Sequence, residues 1–111
     1  MLVSTRIIAG QVGWDPTGSE PKFETGFVAQ FDRALGNVIA VLREAGGAPE
    51  HLARVTMYVT DKREYLGAQS EVGRAWKKHM GAVFPAMSLV QVAALLEDDA
   101  KVEIEATAVL P

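Results

Sequence analysis

Two carboxylates on one strand are the residues of this chain best placed to do chemistry. In "KVEIEATAV", residues 101–109, Val102, Ile104, Ala106 and Ala108 alternate with other residues at the period of a β-strand, so Glu103 and Glu105 stand together on the opposite face. A carboxylate is costly to bury without partners. That face is therefore either solvated, or its carboxylates have a chemical task. Other reactive groups are sparse. There is no cysteine, hence no disulfide framework, thiolate nucleophile or cysteine-based metal site. His51 and His79 lie far apart in sequence, without an Asp or Glu at ligand spacing, so they support neither a metal site nor a nucleophile triad. Both read as surface or helix-end residues. Gln30 and Asn37 could line a cleft, but a polar helix face explains them equally well.

The elements that must position these groups fit in one domain, residues 1–111, and a hydrophobic content of 49% excludes a disordered chain. The 11 basic and 14 acidic residues leave a net charge of −3, and no basic run exceeds the pair Lys77 and Lys78. A grip on nucleic-acid phosphates needs a clustered positive surface, so no nucleic-acid partner is expected. The opening "MLVSTRIIAG" lacks the basic and long apolar regions of a signal peptide, and no apolar stretch reaches membrane-spanning length. With no cysteine to oxidise, a cytoplasmic location and no membrane partner are expected.

Periodicity gives the order β, α, β, α, β, β. "STRIIAGQV" is a strand ending at Gly10, followed by a loop in "GWDPTGSEPK" with two prolines. Apolar residues at 27, 31, 35, 38 and 42 mark a first helix with Gln30, Arg33, Asn37 and Glu44 on its other side, closed by Gly46 and Gly47. "HLARVTMYVT" alternates Val55, Met57 and Val59 with Thr56, Tyr58 and Thr60 as a second strand. Asp61 and Glu64 have capping-box spacing and open a second helix carrying Tyr65, Ala68, Val72, Ala75 and Trp76. "MSLVQVAAL" and "KVEIEATAV" are two further strands joined by the acidic turn "LEDDA". This is an α+β sandwich with two helices on one face of a sheet. The uncovered face carries either Ser88, Val90, Val92 and Ala94 or Met87, Leu89 and Ala93, both sets apolar enough to require a partner subunit.

Five blocks in order, "AGQVGWDPTG", "QFDRALGNVIAVLREAGG", "RVTMYVTDKREY", "FPAMSLVQVAAL" and "KVEIEATAV", resemble the signature blocks of the reactive intermediate deaminase family, RidA/YjgF, over nearly the whole chain. The resemblance implies a chorismate-mutase-like α+β fold with a mixed sheet. It implies a homotrimer whose sheets form a central barrel with ligand clefts between subunits. It also implies hydrolysis of small reactive enamines or imines to a carbonyl compound and ammonia, with no metal and no organic cofactor. Members usually carry an N-terminal hairpin strand with an aromatic residue, whereas this sequence opens almost inside the second strand.

Carried over residue by residue, the resemblance assigns water activation to Glu103 and orientation of water and substrate to Gln11, with Gly10 beside it. The family's substrate-carboxylate arginine after Pro-Ala is replaced by Met87, and a thioether cannot make the bidentate contact of a guanidinium. The family cysteine is replaced by Leu89, the second-helix asparagine corresponds to Gln69, and the serine before Gly-Gln becomes Ala9. Gly10, Trp14, Gln69, Met87 and Leu89 are thus the candidate substrate-binding residues. Met87 is alternatively plain core, and Trp14 a loop anchor. The resulting expectation is a RidA-type enamine or imine deaminase, a hydrolase acting on something other than 2-aminoacrylate itself. The alternative is a non-catalytic ligand-binding or regulatory trimer of the same fold. Ribonuclease activity, ascribed to some relatives, is weakened by the acidic balance and the lack of a histidine pair.

Overall fold

The computed structural model describes residues 2–20 and 22–111; Pro21, the second proline of the first loop, lies outside them. Its strands are β1 (Ser4–Val12), β2 (Trp14–Asp15), β3 (Lys22–Phe23), β4 (Leu52–Val59), β5 (Ala86–Gln91) and β6 (Val102–Leu110). Its helices are α1 (Phe27–Glu44), α2 (Lys62–Leu66) and α3 (Gln69–Met80). Four strands form one mixed sheet in the order β1-β6-β4-β5, with β4 and β5 parallel and β6 antiparallel to both of its neighbours. Thus β5 and β6, consecutive in sequence, are separated by β4. The loop after β1 contains a two-stranded hairpin, β2 with β3.

The core lies between the helices and one sheet face. Phe31, Leu35, Val38 and Leu42 of α1 are buried with Val55 and Val59 of β4 and Val102 and Ile104 of β6. Burying each such side chain stabilises the fold by about 1.5–3 kcal/mol. The helix ends as its glycines require: Gly46 adopts a positive φ of 85°, and the N–H groups of Gly46 and Gly47 bond the carbonyls of Arg43 and Leu42.

Gln30 is not on a polar helix face. It is the one buried polar residue in the described core, 3% exposed. Its carboxamide donates to the carbonyls of Glu24 (3.2 Å) and Asp99 (2.9 Å) and accepts from the Lys101 N–H (2.8 Å), tying the acidic turn to α1. At Gly13 a Cβ would lie 2.5 Å from the Cα of Gln30, so a glycine is required where the end of β1 crosses the helix. Asn37 likewise holds the hairpin, donating to the carbonyls of Val12 and Trp14 at 3.1 Å each.

The second helix is two helices, α2 closing at Gly67 and α3 restarting at Gln69. Asp61 caps α2 by accepting from the Arg63 N–H, whereas Glu64 reaches Lys101 (3.2 Å) instead of turning back to complete the capping box. The strand expected over 87–95 stops at Gln91, because its neighbour β4 ends at Val59, whose carbonyl takes the N–H of Val92.

Candidate functional site

Register decides which face each candidate occupies. Val55, Met57 and Val59, buried toward the helices, pair with Met87, Leu89 and Gln91, so these β5 residues share the helix side. Thr56 and Tyr58 pair with Ser88 and Val90 on one flank and with Glu105 and Glu103 on the other, which places all of them on the open face. Glu103 and Met87 therefore lie on opposite faces of the sheet in one chain.

On the open face, Glu103 sits on β6 between β1 and β4. Opposite it, β1 slips register between Ile8 and Gln11, a bulge of the kind that re-aims strand residues. A Cβ at Gly10 would stand 2.6 Å from the Cδ of Glu103 and 2.7 Å from its Oε2, so the missing side chain is the seat of the carboxylate. On the other flank Tyr58 pairs with Glu103 and donates its hydroxyl to Oε1 of Glu105 at 2.7 Å. That hydrogen bond first, then burial and the charges of Glu105 and Glu103, raise the Tyr58 phenol above its ordinary value, so it remains a donor at neutral pH. Glu105 is occupied by this bond. Glu103 and Glu105 are both half-buried on a strand whose alternate residues are fully in the core.

On the helix side, a cavity of about 560 Å³ opens between α3 and β5. Phe31, Met57, Gln69, Trp76, Phe84 and Met87 are among its walls. Trp76 organises it: the indole N–H donates to the Val83 carbonyl at 3.0 Å, and the ring stacks on Phe84 with centroids 6.1 Å apart. The segment between α3 and β5 is thereby fixed as the lip.

The candidates divide accordingly. Gly10 and Glu103 come together on the open face, and Gln69 and Met87 in the cavity. Gln11, next to Gly10, is half-buried, pairs with Ile104 across the bulge and donates its side-chain amide to the Ala9 carbonyl at 3.1 Å. Leu89 packs against the core beside Met57. Trp14 is on the hairpin, its ring 5.6 Å from that of Phe23. Sequence reasoning missed Tyr58 as a partner of Glu105, though strand alternation alone put the two on accessible faces of their strands. It also missed His79, whose Nε2 lies 2.6 Å from Oδ1 of Asp32 and joins α3 to α1. Among the described residues no cluster of three or more His, Cys, Asp or Glu could hold a metal ion, and no helix is long and apolar enough to cross a membrane.

Residues 3–110 match the family model described as Endoribonuclease L-PSP. The chain is 35% identical over 104 residues to the RutC family protein of Pasteurella multocida, covering 93% of this chain and 78% of the relative. It is 35% identical over 104 residues to the 2-iminobutanoate/2-iminopropanoate deaminase of Escherichia coli K12, covering 93% and 77%. Superposition on the crystal structure of E. coli TdcF with bound serine gives a TM-score of 0.84 at 30% identity over 97% of this chain and 82% of that one. The chorismate-mutase-like α+β fold implied by the sequence resemblance is the fold observed.

Proposed function

Because the chain belongs to the RidA/YjgF family, that of the Endoribonuclease L-PSP model, we propose that it hydrolyses a reactive imine or enamine to a carbonyl compound and ammonia. The observation that carries this reading is the carboxylate of Glu103 seated over Gly10 at the β1 bulge, half-buried and next to a strand whose backbone is locally out of register. A water oxygen adds to the carbon of the protonated imine while Glu103 takes one of the water protons, giving a neutral carbinolamine. The carboxyl then returns that proton to the carbinolamine nitrogen; as the carbon–nitrogen bond breaks and ammonia leaves, the hydroxyl gives up its own proton to the Glu103 carboxylate and the carbonyl forms. Gln11 and the Gly10 backbone orient water and substrate nitrogen. Tyr58 and Glu105 hold the adjoining strand surface. Met87 cannot form the bidentate contact of an arginine, so position 87 does not hold a substrate carboxylate as an arginine would, and the proposed substrate is an imine other than 2-aminoacrylate.

The working form is a cytoplasmic homotrimer with clefts between subunits. Two features support it: Ile7, Val90 and Val109 are exposed on the open side, and Glu103 and Met87 lie on opposite faces of one sheet, so a shared cleft would need them from different copies. Ammonia release from a panel of enzymatically generated imines is the test. Release above the buffer rate by the wild type, at micromolar protein that sediments as a trimer, is the expected result. A folded trimer with no release would favour the ligand-binding alternative, and a stable monomer would overturn the intersubunit cleft.

A further inference from the structure

The cavity between α3 and β5 has a composition of its own. Its walls are mostly aromatic and aliphatic, with Gln69 and Tyr65 adding polar groups; no acidic residue lines it, and Lys77 is its one cation. Lys77 is exposed on the last turn of α3 and forms none of the four ion pairs described for the chain. A largely apolar chamber of about 560 Å³ with one ammonium at its rim, in no ion pair among the described residues, suits an anion with a bulky apolar body. The chamber is also open at Gly73, where an added Cβ would meet no atom within 4 Å.

We infer that this cavity takes the side chain of an aryl or branched-alkyl 2-imino acid, with Lys77 pairing the carboxylate that Met87 cannot hold. The E. coli relative's name specifies two short-chain imino acids. Here the wall formed by Trp76, Phe84 and Met87 selects a larger apolar group, and the charge contact moves from the strand to the helix. Lys77 is a specificity residue in this scheme. The word imino rests on the deaminase reading above, but the site does not: the 2-oxo acid product carries the same side chain and carboxylate, so occupancy can be measured without turnover.

Calorimetric titration of the full chain with 3-phenyl-2-oxopropanoate, pyruvate and the neutral 1-phenylbutan-2-one, which keeps the benzyl ketone and replaces the carboxylate by ethyl, tests the inference. The phenyl oxo acid should bind about tenfold or more tighter than pyruvate, the gain from burying a phenyl group. It should also bind about threefold to fivefold tighter than the neutral ketone, the scale of an exposed ion pair, and Lys77→Gln should erase that second difference alone. Gly73→Leu fills the chamber from a helix position that favours leucine over glycine. It should cost the phenyl acid tenfold or more in affinity while circular dichroism and sedimentation stay unchanged. Pyruvate binding as tightly as the phenyl acid, or a folded Gly73→Leu with unchanged affinity, would overturn the cavity assignment. Equal binding of acid and ketone by the wild type would overturn the role of Lys77. If the phenyl acid binds as stated but no ammonia is released from its imine, the deaminase reading fails and the cavity stands. Release that is indifferent to both variants sinks the cavity alone.

Discussion

The two faces of the sheet are built to different rules. Toward the helices, Val55, Val59, Val102 and Ile104 are buried in one cluster with side chains of α1 and α3, and the one buried polar side chain among the described residues, Gln30, is hydrogen-bonded to backbone at both ends of its carboxamide. On the open face, Glu103, Glu105, Thr56 and Tyr58 stand half-exposed in register. The first arrangement maximises stability, because an unsatisfied group there costs the full price of desolvation. The second keeps a carboxylate where solvent and a small molecule can reach it. Stability and chemistry are therefore expected to separate by face.

The strongest break in that separation comes from Glu103→Gln. Shape and most hydrogen bonding survive but the base is gone, so turnover of the imine that the wild type accepts should fall by roughly 10²-fold or more. Urea unfolding should barely change. Near-normal turnover by a folded Glu103→Gln would end the assignment. The converse substitution lies on the other face: Gln30→Leu strands the Asp99 carbonyl and the Lys101 N–H, and should destabilise the chain by about 2 kcal/mol or more. Measured under conditions where it remains folded, its kcat should be close to wild type; a large loss of kcat would show that the faces are coupled through the acidic turn.

Gly10→Ala sharpens the comparison within the open face. The new methyl group meets the flexible end of Glu103 at 2.6 Å, which can swing aside, so folding is spared while the carboxylate is displaced. A fall in kcat of about tenfold is expected from such a shift, with an unchanged melting temperature. The smallest effect concerns Asp32, between the helices. Burial pushes its carboxyl up, but hydrogen bonds from His79 and Lys78 outweigh this and hold it below its ordinary value. A depressed carboxyl contributes stability above the pKa of the unfolded chain, near 3.8, and loses it as pH falls through the lower folded value. Asp32→Asn should flatten the stability profile below pH of about 4, and an unaltered acid limb would show the cluster to be energetically silent.

The local code was readable where one periodicity sufficed. The stripe of α1 and the alternation of β4 and β6 follow from apolar spacing alone, and with them the two carboxylates on a shared face. What escaped depends on pairing between distant segments. The face of Met87 could not be chosen from "MSLVQVAAL", since both alternate sets are apolar; its parallel register with β4 decides it. Gln30 stands three residues from Phe27 and so on the border of the apolar stripe, where only the neighbouring acidic turn determines whether a carboxamide is wet or buried. The bulge at Gly10 had a local signal, a glycine within a strand pattern, but its purpose is visible only with Glu103 across from it. The cavity joins Trp76 to Phe84 across a chain reversal, which no helical or strand period encodes.

The strand order has a consequence for biogenesis. β6 is the last strand in the sequence yet lies between β1 and β4, and it is the sheet partner of β1. As the chain leaves the ribosome, β1 must wait for nearly the whole sequence before it can join the sheet. Until then the apolar sides of β1 and β4 have no strand between them. Such nonlocal pairing is slow and leaves edges open to misassociation. Because Glu103 rides on that same closing strand, its carboxylate comes to lie over Gly10 only when β6 pairs with β1, in the step that finishes the sheet.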